Sequence, residues 1–348
     1  MVSALTRPLR AARMLDLVRE IDLGAIKREA ETRFSLELGG DPALAAQLAA
    51  ALSATPGRSG VHPYVSVQAR GIRSALPPNL RAPDLHVPDL RIVVQQGFGG
   101  SEPLSVVPTL VVCVADETSR NVGAELARPG EAARVVVTEL TADLERTLVP
   151  EILRALPRHL HLALGRQLPV FRPAVIRNLI EETSRTNAVY AASTGVAEVV
   201  PVLNVPLNVA DTVVLGKNQL VMAYKVALAA GKTGKPQELM GEIVGVLGGG
   251  LLFRQVARGL VGLIPIWGWL PKVAVAYAGT QVIGTATALW ATEGRTVTAR
   301  DLRGLYENAL GRGRTLAGQL LRRNRNMEAL SEGDETPQLE PPKDDLQG

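Results

Sequence analysis

A chain of 348 residues has room for two domains, each able to bury a core of its own. Apolar residues make up 46% of it but aromatics only 3%, so the core must be built from Ala, Val, Leu and Gly, a mixture suited to closely packed helices in water or in lipid. A net charge of +4, with no basic cluster interleaved with aromatics, is too small to imply a nucleic-acid surface, and the lone Cys113 excludes a disulfide framework or a cysteine metal cluster.

Residues 1–33 read as a helical segment. Arg7, Arg10 and Arg13 precede apolar residues that Asp16, Arg19 and Glu20 interrupt, so no continuous h-region follows. That predicts an amphipathic helix with a cytoplasmic start rather than a signal peptide. Residues 34–143 alternate short apolar runs with helical or loop segments. The runs are FSLEL (34–38), YVSVQ (64–68), LRIVV (90–94), TLVVCV (109–114) and RVVVT (134–138). They predict an α/β domain with a mostly parallel sheet, in which Cys113, flanked by valines, is a buried strand residue. The proline-rich piece at 76–90 reads as loop, because proline donates no ladder hydrogen bond.

The opening of that domain, FSLELGGDPALAAQLAAAL (34–52), has the strand, glycine turn and helix of a phosphate-binding loop. A P-loop needs G-x-x-x-x-G-K-[ST], in which the lysine neutralises terminal phosphates and the hydroxyl holds magnesium. Counting from Gly39, the second glycine falls on Leu44, the lysine on Ala45 and the hydroxyl on Ala46. An N-K-x-D pattern is also missing after RVVVT, where the chain reads ELTAD and ends on Asp143. The expectation is a P-loop-GTPase-like domain that lacks the P-loop lysine. Its degenerate turn, Gly39, Gly40, Asp41 and Pro42, is retained scaffold, and Asp41 would repel an anion. No cofactor, metal site or catalytic constellation is expected. His159 and His161 are two apart and do not share a helix face, His62 and His86 sit in proline-containing loops, and GFGGSE (97–102) has no lysine.

From 144 to 325 the periodicity is helical, punctuated by Pro150, Pro157, Pro169, Pro173 and Pro201. Long apolar segments follow at 206–231, 236–264 and 272–293. Residues 273–292 carry no charge and are flanked by Lys272 and Glu293. At about 1.5 Å per residue they just span a hydrocarbon core of about 30 Å, and Gly279 and Gly284 would let helices approach closely. Asp211, Asn218 and Lys225 are seven apart and make a polar stripe on one helix, while Arg254 and Arg258 share a face of another, so Asp211 with Arg254 or Arg258 is a candidate pair. Two architectures fit this half: a soluble bundle with its polar residues paired inside, or a membrane-embedded hairpin. Residues 298–325 read as an Arg-rich amphipathic helix suited to an anionic membrane face, and 326–348 as a disordered acidic tail.

PLNVADTVVLGKNQLVMAYKVALAAG and GLLFRQVARGLVGLIPIWGWLPKVAVAYAGTQVIG resemble the YcjF-like, GTPase-associated domain of unknown function over about 185–295. The shared features are Pro206, Ala210 and Asp211 at a helix start, Gln219 and Met222 on that helix, the turn Ile264, Pro265, Gly268 and Trp269, and an alanine-rich helix with Gly279, Thr280 and Gly284. The resemblance implies membrane association and a GTPase-like domain preceding the helical one. It implies no established biochemical activity. The expected function is therefore a non-catalytic membrane-associated adaptor at the cytoplasmic side of the inner membrane. Membrane lipid is the expected contact, with a GTPase or a second copy as protein partner and no nucleic acid. Weak GTP binding and a soluble helical oligomerisation module are the alternatives.

Overall fold

The computed structural model describes residues 19–57, 60–67, 87–97, 107–115, 132–197, 207–248 and 269–332. Helix α1 (Leu23–Ala30) starts on Asp22, whose carboxylate accepts from the Ala25 amide at 2.8 Å, and it buries Leu23, Ile26 and Ala30. The five expected runs form five strands: β1 (Leu36–Gly40), β2 (Val65–Val67), β3 (Leu90–Gln96), β4 (Thr109–Val114) and β5 (Ala133–Val137). Helix α2 (Pro42–Ser53) follows β1. Every pairing is parallel, and the strand order is β2-β1-β3-β4-β5.

β1 begins at Leu36 rather than Phe34 and runs through both glycines, because Gly39 and Gly40 pair with Val93 and Val94 of β3. Phe34 instead packs edge-on against Tyr64, with ring centroids 5.0 Å apart. Strand β4 is buried along both faces, as its unbroken apolar run requires. One face joins the main core through Leu110 and Val112, and the other forms a small cluster of Val111, Cys113 and Ala132.

The rest is helical: α3 (Val149–Ala155), α4 (His161–Gln167), α5 (Arg172–Ala197), α6 (Leu207–Ala229), α7 (Pro236–Gly248), α8 (Trp269–Glu293) and α9 (Ala299–Glu332). Pro150, Pro169 and Pro173 stand in the first turns of their helical segments, where the missing amide costs nothing. One core runs without a break from Leu38 and Ile92 in the sheet, through Leu48 in α2 and Leu164 in α4, to Val226 in α6 and Ile283 in α8. Helix α1 belongs physically to the helical half. It packs on α4, α6 and α7, with Glu29 ion-paired to Lys225 and Glu20 to Lys217.

Helix α8 carries the charge-free run 273–292. It lies among α5, α6, α7 and α9, and Val273, Ala278, Thr280, Val282 and Ala286 are all at or below 1% exposure. A helix that is apolar all round is an interior helix when others enclose it. The expected membrane span gains no support: among the described residues no helix is long and apolar enough to cross a membrane. A second expectation also shifts. The final helix does not stop at 325 but continues to Glu332, since Met327, Glu328, Ala329 and Leu330 are good helix formers and the next proline is Pro337. The remainder of the tail lies outside the described residues.

Candidate functional site

The Gly39–Pro42 turn stands at the carboxyl ends of β1 and β3. In a 2-1-3-4-5 order this is the point where the direction of winding reverses, the usual ligand crevice of open α/β sheets. Local geometry fills it with protein groups. Gly40 has φ +95°, and a Cβ there would lie 2.2 Å from the Val94 carbonyl oxygen, so only glycine lets β1 turn this close to β3. The Asp41 amide then donates to that same Val94 oxygen at 2.8 Å. The Asp41 carboxylate accepts from the amides of Ala43 (2.9 Å) and Leu44 (3.1 Å), capping α2, with Pro42 in its first turn. The donors and the helix dipole that would hold a phosphate are thus engaged by a resident anion. Among the described residues no lysine or arginine forms an ion pair with Asp41. Asp143 is likewise committed locally: its Oδ2 accepts from the Thr138 amide (2.7 Å), the Thr138 hydroxyl (2.9 Å) and the Glu139 amide (3.2 Å), and these donors hold its carboxyl below the usual range.

Two residues of the polar stripe of α6, Asn218 and Lys225, are half-buried and bonded to other helices. Asn218 Nδ2 donates to Asn187 Oδ1 of α5 at 2.8 Å, and Lys225 Nζ donates to both carboxylate oxygens of Glu29 at 2.9 Å. The Asp211 side chain, Arg254 and Arg258 lie outside the described residues. Two polar layers cross the bundle. In one, Asn187 and Gln219 both donate to Thr280 Oγ1, at 2.9 and 3.1 Å, and the Thr280 hydroxyl donates to the Ala276 carbonyl. In the other, Glu181 accepts from Arg185 (2.6 Å), the Tyr277 hydroxyl (2.7 Å) and Gln281 (2.9 Å), while Arg312 of α9 donates to Gln281 Oε1 at 3.4 Å. Burial pulls the Glu181 carboxyl up, but the Arg185 and Tyr277 donors outweigh it and leave it below its ordinary value. Burial first, and then the Glu181 carboxylate, push the Tyr277 phenol up to about 12. Satisfied layers of this kind fix the register of packed helices, and this chemistry is structural.

Two cationic features stand apart from these layers, the first on the helix that the sequence marked as a membrane-facing one and the second not legible in sequence as a site. One is the outward face of α9. At 3.6 residues per turn, Arg300, Arg303, Arg314 and Arg322 fall within an arc of about 100°, opposite the buried Leu302, Ala309, Gly313 and Ala317. All four arginines are exposed, and a carboxylate on that arc, Glu307, faces Arg303 at 3.8 Å. The other is a group at the open end of α6: Arg166, Arg172 and Lys232. Arg166 Nη1 donates to the carbonyls of Leu228 (3.3 Å) and Lys232 (2.8 Å), and Arg172 donates to those of Gly165 (3.2 Å) and Arg166 (3.3 Å). Lys232 Nζ lies 4.8 Å from the centre of the Trp290 ring.

Compared with family models, curated proteins and solved structures, the chain matches none.

Proposed function

We propose that this protein is a non-catalytic adaptor that attaches to anionic membrane surfaces through α9 and offers its α/β part to a protein partner, a GTPase or a second copy of itself. The observation that carries the reading is the outward face of α9, with four exposed arginines on one arc and the apolar side fixed to α8. Such a face is attracted to anionic headgroups by about 1 kcal/mol per basic residue near the surface. Attachment is peripheral, at the cytoplasmic face. The α/β part is nucleotide-binding-like in its strand, glycine turn and helix, and Asp41 supports the non-catalytic reading because its carboxylate occupies the amides that a phosphate would need.

Washing native membranes tests the attachment. The protein should sediment with membranes at low salt and leave them in high salt or alkaline carbonate. Absence from the low-salt membrane fraction, or retention through carbonate, would overturn the peripheral reading. Titration with a fluorescent GTP analogue tests the non-catalytic part, and micromolar binding would favour a weak GTP-binding protein instead.

A further inference from the structure

The group at the end of α6 has more positive charge than the protein balances. Arg166 (α4), Arg172 (first residue of α5) and Lys232 (after α6) form no ion pair among the described residues, and both arginines are half-buried. The two guanidiniums converge on one short segment: Arg166 Nη1 is 2.8 Å from the Lys232 carbonyl oxygen, and Arg172 Nη2 lies 3.1 Å from where a Gly231 Cβ would stand. Their protein partners are carbonyls at the ends of α4 and α6. Two helix ends supply about one elementary negative charge between them, less for a helix as short as α4. Against two guanidiniums and an ammonium, about two positive charges are left over.

Donors are left over as well. Arg166 uses only Nη1 and Arg172 only Nε and Nη2, so Nε and Nη2 of the first and Nη1 of the second make no protein hydrogen bond. The amides of Thr233 and Gly234 in the loop GKTGK (231–235) donate to no protein carbonyl among the described residues. Tyr224, at 1% exposure, is buried beside this group, with Arg166 and Glu31 close enough to act on its phenol, and its hydroxyl makes no hydrogen bond within the described protein. The Tyr224 oxygen is not itself sealed from solvent, so an otherwise buried phenol beside surplus guanidinium donors leaves its hydroxyl open to an acceptor from outside. The nearest carboxylate acting on it, Glu31, is exposed and faces Lys27 at 3.9 Å.

We infer that Arg166, Arg172, Lys232 and the Tyr224 hydroxyl form a binding site for a phosphate group, either a soluble phosphate ester or the monoester headgroup of a lipid. A phosphate monoester carries nearly two negative charges at neutral pH and several acceptor oxygens, which matches both the surplus charge and the spare donors. The site stands on residues other than the α9 arginines, so its failure and that of the membrane reading can be told apart.

The test is a titration of the full chain with inorganic phosphate at constant ionic strength. It is followed by melting temperature and by calorimetry, and compared with Lys232→Gln and Tyr224→Phe. Neither variant removes a hydrogen bond that the described structure contains. Saturable millimolar binding is expected in the parent, weakened at least five-fold in Lys232→Gln and measurably in Tyr224→Phe. Vesicles of phosphatidylcholine with and without phosphatidic acid separate the sources. Capture by phosphatidic acid that depends on Lys232 assigns a lipid headgroup, whereas phosphate binding without such capture assigns a soluble ester. If phosphate has no saturable effect on the parent and phosphatidic acid capture is unchanged in both variants, the site is refuted. Equal phosphate binding in the parent and both variants refutes it too.

Discussion

Gly313→Ala is the sharpest test of how α9 is held. Gly313 sits directly on the backbone of α8, and an added Cβ would lie 2.8 Å from the Ala274 carbonyl oxygen and 2.9 Å from its Cα. Carbon contacts are comfortable at about 3.5–4.0 Å, so α9 would have to retreat by roughly 0.7 Å. The obstacle is helix backbone rather than a side chain, so nothing can rotate away. Overpacking of this kind costs about 1–3 kcal/mol, while replacing glycine by alanine inside a helix returns about 1 kcal/mol. The net expectation is a loss of up to about 2 kcal/mol, by subtraction of those two terms. Gly304 and Gly311 provide controls on the same helix, since a Cβ at either meets nothing within 4 Å. There the same substitution should stabilise by roughly 0.5–1 kcal/mol. The assay is urea unfolding of the three variants beside the parent, reading midpoints at unchanged slope. If Gly313→Ala stabilises as much as Gly311→Ala, α9 does not pack on α8 as described.

Other outcomes follow from the same geometry. Asp41→Ala should cost about 0.5–2 kcal/mol of stability by removing the α2 cap, and Gly40→Ala should cost more, because its Cβ would meet the Val94 carbonyl. The second polar layer predicts opposite pH limbs. Glu181, depressed in the fold, contributes stability that is present above its ordinary value of 4.5 and lost as pH falls through its folded value, so Glu181→Gln should flatten the acid limb of a stability profile. Tyr277, raised from 10.0 to about 12, contributes stability that is complete below 10 and lost as pH climbs toward its folded value. Tyr277→Phe should remove that alkaline loss, followed by ultraviolet absorbance of tyrosinate. Tyr306→Phe should leave stability unchanged or raise it by about 1 kcal/mol, because the Tyr306 hydroxyl is buried without a partner.

The sheet was legible because the strands are short apolar runs, β-branched in all but β1, bounded by glycine, proline or charge, and Thr109–Val114 is apolar enough to be buried on both faces. The glycine turn was legible as structure and its chemistry only in part. That Asp41 follows Gly40 is visible in the sequence, but that its carboxylate folds back onto the Ala43 and Leu44 amides depends on the angle at which α2 leaves β1. The run 273–292 suggested a membrane span because lipid and a protein interior ask for the same composition. Only the presence of α5, α6, α7 and α9 around α8 separates them. The polar layers were out of reach, since Asn187 meets Thr280 across 93 positions of sequence. Arg166 and Arg172 are closer in sequence, but they lie on two helices, and the chain reversal at Pro169–Phe171 is what brings their guanidiniums to Gly231 and Lys232.

The central claim, that the outward face of α9 attaches the protein to anionic membrane, is met most directly by vesicle sedimentation. The parent is compared with a variant carrying Arg300→Gln, Arg303→Gln, Arg314→Gln and Arg322→Gln. None of these arginines is buried, and Arg312, which reaches Gln281, is left in place. At about 1 kcal/mol per charge, the variant should bind vesicles with anionic headgroups roughly a thousand-fold more weakly, with its melting temperature unchanged. Parent binding should fall as salt rises and vanish on phosphatidylcholine alone. Equal binding of parent and variant, or parent binding that ignores headgroup charge, would contradict the account.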